Sequence, residues 1–294
     1  MFLVLSTTGG VEDRKHIRDD WRNIIHYDMA YFFILASDSR FDRDVAEENA
    51  KHKDILQMKH MDSYHNLTLT VMGAFHYFYL FHPNVDYFMK VDSDCAINIP
   101  HIREKVDELI QDKEDYVGEC RVGQKYNTEN RAMKNYIPAE LPNGDRNISA
   151  YARGGGYLIS RRVLPKLLVA FRYLPFVGHH EDVNVGRAMD LAGVSCLNVS
   201  NWLARTGCKS SGGCKQYYIA HRQEGESILE IRQYFQIVFP SWNSKYIHND
   251  ITIDFNNDKH GSEKKHAFNY WNLFYIITIV GSLIIIVYNT NEFR

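Results

Sequence analysis

Asn84 to Val91 reads NVDYFMKV and runs directly into Asp92-Ser93-Asp94. The aromatic and β-branched residues predict a buried strand, and Ile99-Pro100 predicts the start of a helix shortly after it. Two carboxylates one residue apart therefore stand where a strand ends. There they can hold a hard divalent cation that keeps coordination positions open for a phosphate oxygen, which suits a leaving group carrying a diphosphate. An isolated Asp-x-Asp is more often a pair of turn or cap residues, so the neighbouring segments have to decide.

On either side, strand and helix patterns alternate. Phe2 to Ser6, Ala30 to Ala36 and Asp54 to Gln57 read as strands, and Arg14 to Trp21, Phe41 to Lys51 and Tyr64 to Phe81 as helices. Beyond the acids come a helix over Ile102 to Gln111, a strand over Tyr116 to Glu119, a polar lobe over Arg121 to Asn147, and Gly154-Gly155-Gly156 ahead of a strand over Tyr157 to Ser160. A helix over Arg162 to Phe171 follows. Alternation of this kind predicts an α/β fold with a mostly parallel central sheet and helices on both faces. The glycine triplet permits close backbone approach of a large group, or equally a bulge or tight packing.

The chain has 294 residues, enough for one substantial core, and a formal net charge of -2 with scattered Lys and Arg, which excludes a nucleic-acid partner. The five cysteines lack a metal-ligand spacing, and Cys208 and Cys214 bracket a Ser-Gly-Gly turn that could close as a small disulfide loop. Sequons begin at Asn66, Asn147 and Asn198. The opening MFLVLSTTGG reads as the first strand, since its apolar run is too short for a signal or anchor. No charged residue occurs from Ala267 to Asn291, and Trp271 to Tyr288 has the length and all-round apolar character of a membrane helix. The expected organisation is a catalytic domain over 1–248, a polar linker over 249–266 and a transmembrane segment over 267–291. Lys259, Lys264 and Lys265 before that span would leave the domain cytosolic by the positive-inside rule, whereas the sequons argue for a lumen.

Two further elements carry chemistry. Glu181-Asp182 precedes a helical pattern through Val185, Met189 and Leu191, so one acid can cap the helix while the other points into a cleft as a general base. His221 follows the strand-like run Tyr217 to Ala220 and is either a third ligand for the ion at Asp92 and Asp94 or a surface histidine.

Taken together, the segments resemble glycosyltransferase family 31, the β-1,3-galactosyltransferase and N-acetylglucosaminyltransferase-like family that includes relatives of Fringe. Arg14-x-x-Ile17-Arg18-x-x-Trp21 is similar to R-x-x-I-R-x-T-W, and Asp54-Ile55-Leu56 follows it. Asp62-Ser63-Tyr64-His65-Asn66-Leu67-Thr68 is similar to D-S-Y-x-N-L-T, and Lys90 to Asp94 resembles K-x-D-D-D. Gly154 to Ser160 and Glu181-Asp182-Val183-x-x-Gly186 complete the order, over roughly residues 1 to 225. The resemblance implies a GT-A nucleotide-sugar transferase fold, Mn²⁺, a UDP-sugar donor, a glycan acceptor and an inverting transfer in the Golgi membrane with a lumenal domain. It further implies Asp182 as the base, Asp92, Asp94 and His221 as metal ligands, and a donor site drawing on Arg14, Arg18, Asp62, Asp92, Ser93, Asp94, Gly155, Gly156 and Glu181.

The chain departs from the family pattern at Asp20, at Thr70 and Val71 in place of Lys-Thr, at Ser93 in place of the middle aspartate, and at Arg153, where a smaller residue is common. A rival reading is a catalytically silent relative that binds a glycan or a partner, but such a protein would not need Asp92, Asp94 and Asp182 together. A second rival, a phosphoryl or nucleotidyl transferase, lacks a Gly-x-x-x-x-Gly-Lys-Ser/Thr loop.

Overall fold

A computed structural model of the chain describes residues 1–22, 24–133, 136–137, 147–177, 179–204 and 216–221. In chain order these form β1 (Phe2–Leu5), α1 (Val11–Trp21), β2 (Tyr31–Ser37), α2 (Asp42–His52) and β3 (Ile55–Met61). A turn of 3-10 helix (Tyr64–Asn66) leads into α3 (Leu67–Phe81), then β4 (Tyr87–Asp92), β5 (Cys95–Ile97), α4 (Ile99–Asp112) and β6 (Tyr116–Arg121). The remaining elements are β7 (Tyr151–Ser160), α5 (Leu164–Tyr173), α6 (Glu181–Leu191), β8 (Leu197–Asn198), β9 (Leu203–Ala204) and β10 (Ile219–His221).

The main sheet has seven strands in the order β3-β2-β1-β4-β7-β6-β8. β3, β2, β1 and β4 are parallel, β7 runs antiparallel between β4 and β6, and β8 is parallel to β6. Side chains alternate across each strand, so both faces need cover. Phe2, Val4, Phe33 and Val91 pack with Ile17 and Trp21 of α1, Val45 of α2 and Ile102 of α4. Leu3, Phe32, Ile34 and Phe88 pack on the other face with Val71, Phe75 and Phe78 of α3, Leu167 of α5 and Val185 of α6. Every residue of β4 before Asp92 is buried, which is why that run reads as continuously apolar apart from Lys90.

Local chemistry sets the ends of the elements. Asn98 caps α4 by accepting the His101 backbone N–H at 3.4 Å, and Pro100 sits in the first turn, where its missing N–H costs nothing.

The expected α/β architecture is found, with three differences in detail. The glycine triplet lies inside β7 rather than ahead of a strand: residues 151–152 pair with β6 and 156–160 with β4 or β6, and the strand runs on through Gly154 and Gly155 between them. Helix α3 begins at Leu67 and not at Tyr64. Cys120 is bonded to Cys196, whose separation of 76 residues gives no local signal; closing a loop of that length contributes roughly 4 kcal/mol in a chain-entropy model. Cys208, Cys214 and the apolar run Trp271 to Tyr288 lie outside the described residues. Among the described residues, no helix is long and apolar enough to cross a membrane.

Candidate active site

The order of the sheet fixes where a site can form. β1 connects through α1 to β2 on one side, while α3 carries the chain from β3 to β4 on the other. The segments that leave the paired carboxyl ends of β1 and β4 therefore part, and the crevice they leave is the usual ligand position in an open α/β sheet. Leu5 stands opposite Asp92 in the register of these two strands, and the Ser93 N–H donates to the Leu5 carbonyl at 3.0 Å, fastening the acidic turn to the end of β1.

A cleft of about 620 Å³ opens at this point. It is lined by Ser6, Thr7, Asp62, Asp92, Ser93 and Asp94 from the strand ends, Lys90, Gly154 and Gly155 from β4 and β7, Glu181 and Asp182 from α6, and His221 from β10. A separate cavity of about 520 Å³ lies at the amino ends of β1, β2 and β4 and shares no residue with it.

His221 reaches the acids through tertiary pairing. β10 pairs antiparallel with β5 and places His221 opposite Cys95, next in sequence to Asp94. His221 Nε2 lies 3.6 Å from Asp94 Oδ1, and both side chains are close to half exposed. An imidazole nitrogen and a carboxylate oxygen at that separation, open to the cleft, fit a divalent cation with vacant positions. Cys95 is the third member of this donor group, but it is buried, its Sγ donates to the Gly155 carbonyl at 3.2 Å, and burial followed by the nearby Asp92 and Asp94 pushes its thiol well above the ordinary value. Its buried thiol therefore stands behind the pair.

Asp92 is differently engaged. Its Oδ1 accepts from Lys90 Nζ at 2.6 Å, which leaves the second oxygen as the one a ligand could use. The same ammonium donates to the Gly154 carbonyl at 2.6 Å and lies 3.2 Å from Glu181 Oε2. Burial works against its charge, yet Asp92 and Glu181 outweigh that effect and hold the lysine above its usual pKa.

At the start of α6 the two acids divide the work. Glu181 is buried, accepts from the Tyr157 hydroxyl and faces Lys90, so it serves the interior. Asp182 is half-buried on the cleft wall; its Oδ2 accepts the Gly154 N–H at 3.0 Å and its Oδ1 the Val183 N–H at 2.9 Å. Burial raises its pKa above the ordinary aspartate value, with Lys90 and these two N–H groups limiting the rise. A carboxylate moved toward neutral pH and facing a cleft has the properties of a general base.

Other expected site residues stand elsewhere. Arg14 and Arg18 do not line the cleft. Arg14 is held by Glu48 and Arg18 by Glu48 and Asp54, all of them largely buried. Arg14 acts on the cleft from behind, through its Nη1 contacts with Ser6 Oγ at 3.2 Å and the Thr7 carbonyl at 2.5 Å. Asp62 lines the cleft while its Oδ2 accepts the Thr8 N–H at 2.9 Å. Gly156 is a packing position, since a Cβ there would meet Ile219 Cδ1 at 2.5 Å and its carbonyl accepts the Trp202 indole N–H at 2.8 Å. Gly155 lines the cleft, and a Cβ on it would lie 3.4 Å from His221 Cδ2. Sequence reasoning missed Lys90 as a member of this site; the signal was there, in a single charged residue within an otherwise apolar strand.

Comparison with known proteins adds a separate line of observation. A family model described as galactosyltransferase matches residues 12–200. Human "Beta-1,3-galactosyltransferase 2" is 27% identical over 198 residues, covering 63% of this chain and 46% of its own length. "UDP-GalNAc:beta-1,3-N-acetylgalactosaminyltransferase 1" of Rattus norvegicus is 29% identical over 200 residues, covering 65% of this chain and 59% of its own. The chain thus spans about half the length of the curated relatives it matches. The crystal structure of mouse xyloside xylosyltransferase 1 in its apo form superimposes with a TM-score of 0.39 at 10% identity, covering 77% of this chain and 98% of that one, a likeness too loose to assign a fold.

Proposed function

Since the chain belongs to the galactosyltransferase family, glycosyltransferase family 31, we propose that it is an inverting hexosyltransferase that moves galactose or an N-acetylhexosamine from a UDP-sugar to a glycan hydroxyl in a β-1,3 linkage. One observation carries this reading: the Asp94–His221 pair and the half-buried Asp182 stand on different elements around one cleft. The parallel order through β4, with acids at its carboxyl end, supports reading the fold as GT-A.

In this mechanism the UDP-sugar lies with its diphosphate toward Asp92, Ser93 and Asp94. Asp94 and His221, with the second oxygen of Asp92, would hold Mn²⁺, which when bound supplies positive charge against the departing diphosphate. Asp182 takes the proton of the acceptor hydroxyl. That oxygen attacks the anomeric carbon from the face opposite UDP as the carbon–phosphate-oxygen bond breaks, so the electron pair leaves on UDP and the new linkage is β. Lys90 and Glu181 keep the base side in place without touching the reacting atoms. A positioned carboxylate contributes about 10²- to 10⁴-fold to such a step.

The purified protein, incubated with UDP-galactose, UDP-N-acetylgalactosamine or UDP-N-acetylglucosamine, Mn²⁺ and a β-linked disaccharide acceptor, is expected to release UDP with at least one donor. No release with any donor, alongside retained glycan binding, would establish the silent-relative reading instead.

We further place the domain in the Golgi lumen, anchored by residues 267–291. The Cys120–Cys196 disulfide supports an oxidising compartment, and Asn147 and Asn198 are both exposed. Peptide mapping after expression in a eukaryotic host is expected to find N-glycan on at least one of these two asparagines. Both sites bare on protein recovered with reduced Cys120 and Cys196 would refute the placement.

A further inference from the structure

We propose that Lys90 is the positioning residue that holds the donor side and the acceptor side of this cleft in register, an inference that rests on the transferase reading above. The lysine is 2% exposed, and its ammonium meets oxygens from three elements: Asp92 Oδ1 at 2.6 Å on β4, the Gly154 carbonyl at 2.6 Å on β7, and Glu181 Oε2 at 3.2 Å on α6. An ammonium has three N–H groups. A lysine meant to grip a phosphate would direct them into the cleft, whereas these are directed at protein oxygens.

Gly154 is the link that gives this arrangement its consequence. Its carbonyl accepts from Lys90, and its N–H donates to Asp182 Oδ2 at 3.0 Å. One residue of β7 thus joins the buried cation to the general base, while the same cation holds the first acid of the donor side. A side chain at this link would crowd the base, because a Cβ on Gly154 would lie 3.3 Å from Asp182 Oδ2. Glu181 completes the clamp from α6, itself fixed by Tyr157. Removing the ammonium would free Gly154 and let Asp182 drift, and misplacing a reacting group by about 1 Å can cost about 10²-fold in rate. Asp94 and His221 make no bond to Lys90 among the described residues, so the part of the donor grip that they supply should survive and the loss should fall more on kcat than on KM.

Lys90→Met keeps the apolar stem and deletes the charge. Relative to the wild type, kcat is expected to fall about 100-fold or more, while KM for the UDP-sugar changes by less than about 5-fold. The Gly154 amide, followed by hydrogen exchange, should lose about 10-fold or more of its protection. Should the single variant fail to fold, Lys90→Met/Glu181→Gln is read in its place, since it removes the cation together with one buried charge, and the same outcomes are expected. Folded variant with wild-type kcat, or with unchanged Gly154 protection, overturns the proposal. A wild-type protein inactive with every donor refutes the transferase reading alone, and the Gly154 exchange comparison then still decides whether Lys90 holds this part of β7.

Discussion

Asp182→Asn is expected to lower kcat by about 10²- to 10⁴-fold while leaving Mn²⁺-dependent binding of UDP within about 3-fold of the wild type. The side chain keeps its size, so the loss reports chiefly the missing base. Asp182 accepts the Gly154 and Val183 N–H groups on separate oxygens, and an asparagine offers only one oxygen, so one N–H loses its partner. Thermal unfolding measured beside activity separates that local effect from the chemistry. UDP binding is expected to persist because Asp94 and His221 share no bond with Asp182 among the described residues. Near-normal turnover in the variant would remove Asp182 from the mechanism.

The same assignment has a pH signature. The ionised form of the base is the active one, so kcat/KM falls as pH drops through its pKa. Burial raises Asp182 and its neighbour Glu181 above the ordinary carboxylate range, with Lys90 opposing both shifts. The acidic limb therefore lies above the value of about 4 typical of a free aspartate, and because the two acids are adjacent it belongs to the pair. The limb should vanish from the residual activity of Asp182→Asn.

How much of this could be read in advance depends on the range of the interaction concerned. β4 and its terminal acids were legible because a buried strand declares itself in its own composition, and so were the helices that cover both faces. Glu181 and Asp182 were legible as two acids at a helix start, though not which of them would face the cleft. β5, β8, β9 and β10 span only two or three residues each, and partners far along the chain create them; His221 meets Asp94 only because Ile219–His221 pairs with Cys95–Ile97. The Cys120–Cys196 bond is hidden for the same reason. The arginines of α1 are a case where a motif does not reveal which way a side chain turns. The resemblance alone put Arg14 and Arg18 in the donor site, and the structure turns both inward to Glu48 and Asp54, 34 and 36 residues away.

That inward turn leads to a large expected effect on stability. Glu48→Ala should lower the free energy of unfolding by about 3–5 kcal/mol, because it leaves Arg14 without its carboxylate in a site from which water is excluded. In a domain whose total stability is about 5–15 kcal/mol, this is a large fraction and is readable as a shift in the urea midpoint. Replacing Arg14 and Glu48 together by Met should cost less than Glu48→Ala alone, since no unpaired charge remains and Arg18 keeps Asp54. A loss below about 1 kcal/mol for Glu48→Ala would mean the network behaves as a surface ion pair. The pH dependence has a fixed sign. Burial works against the Glu48 charge, but the bonds from Arg14 and Arg18 prevail and hold its carboxyl below the ordinary range. Its contribution is therefore complete above the unfolded-state value of about 4.3 and is lost as pH falls through the lower folded-state value. Arg14 also supports Ser6 and Thr7 on the cleft wall, so Glu48→Ala should lose activity along with stability, whereas the loss in Asp182→Asn falls mainly on activity.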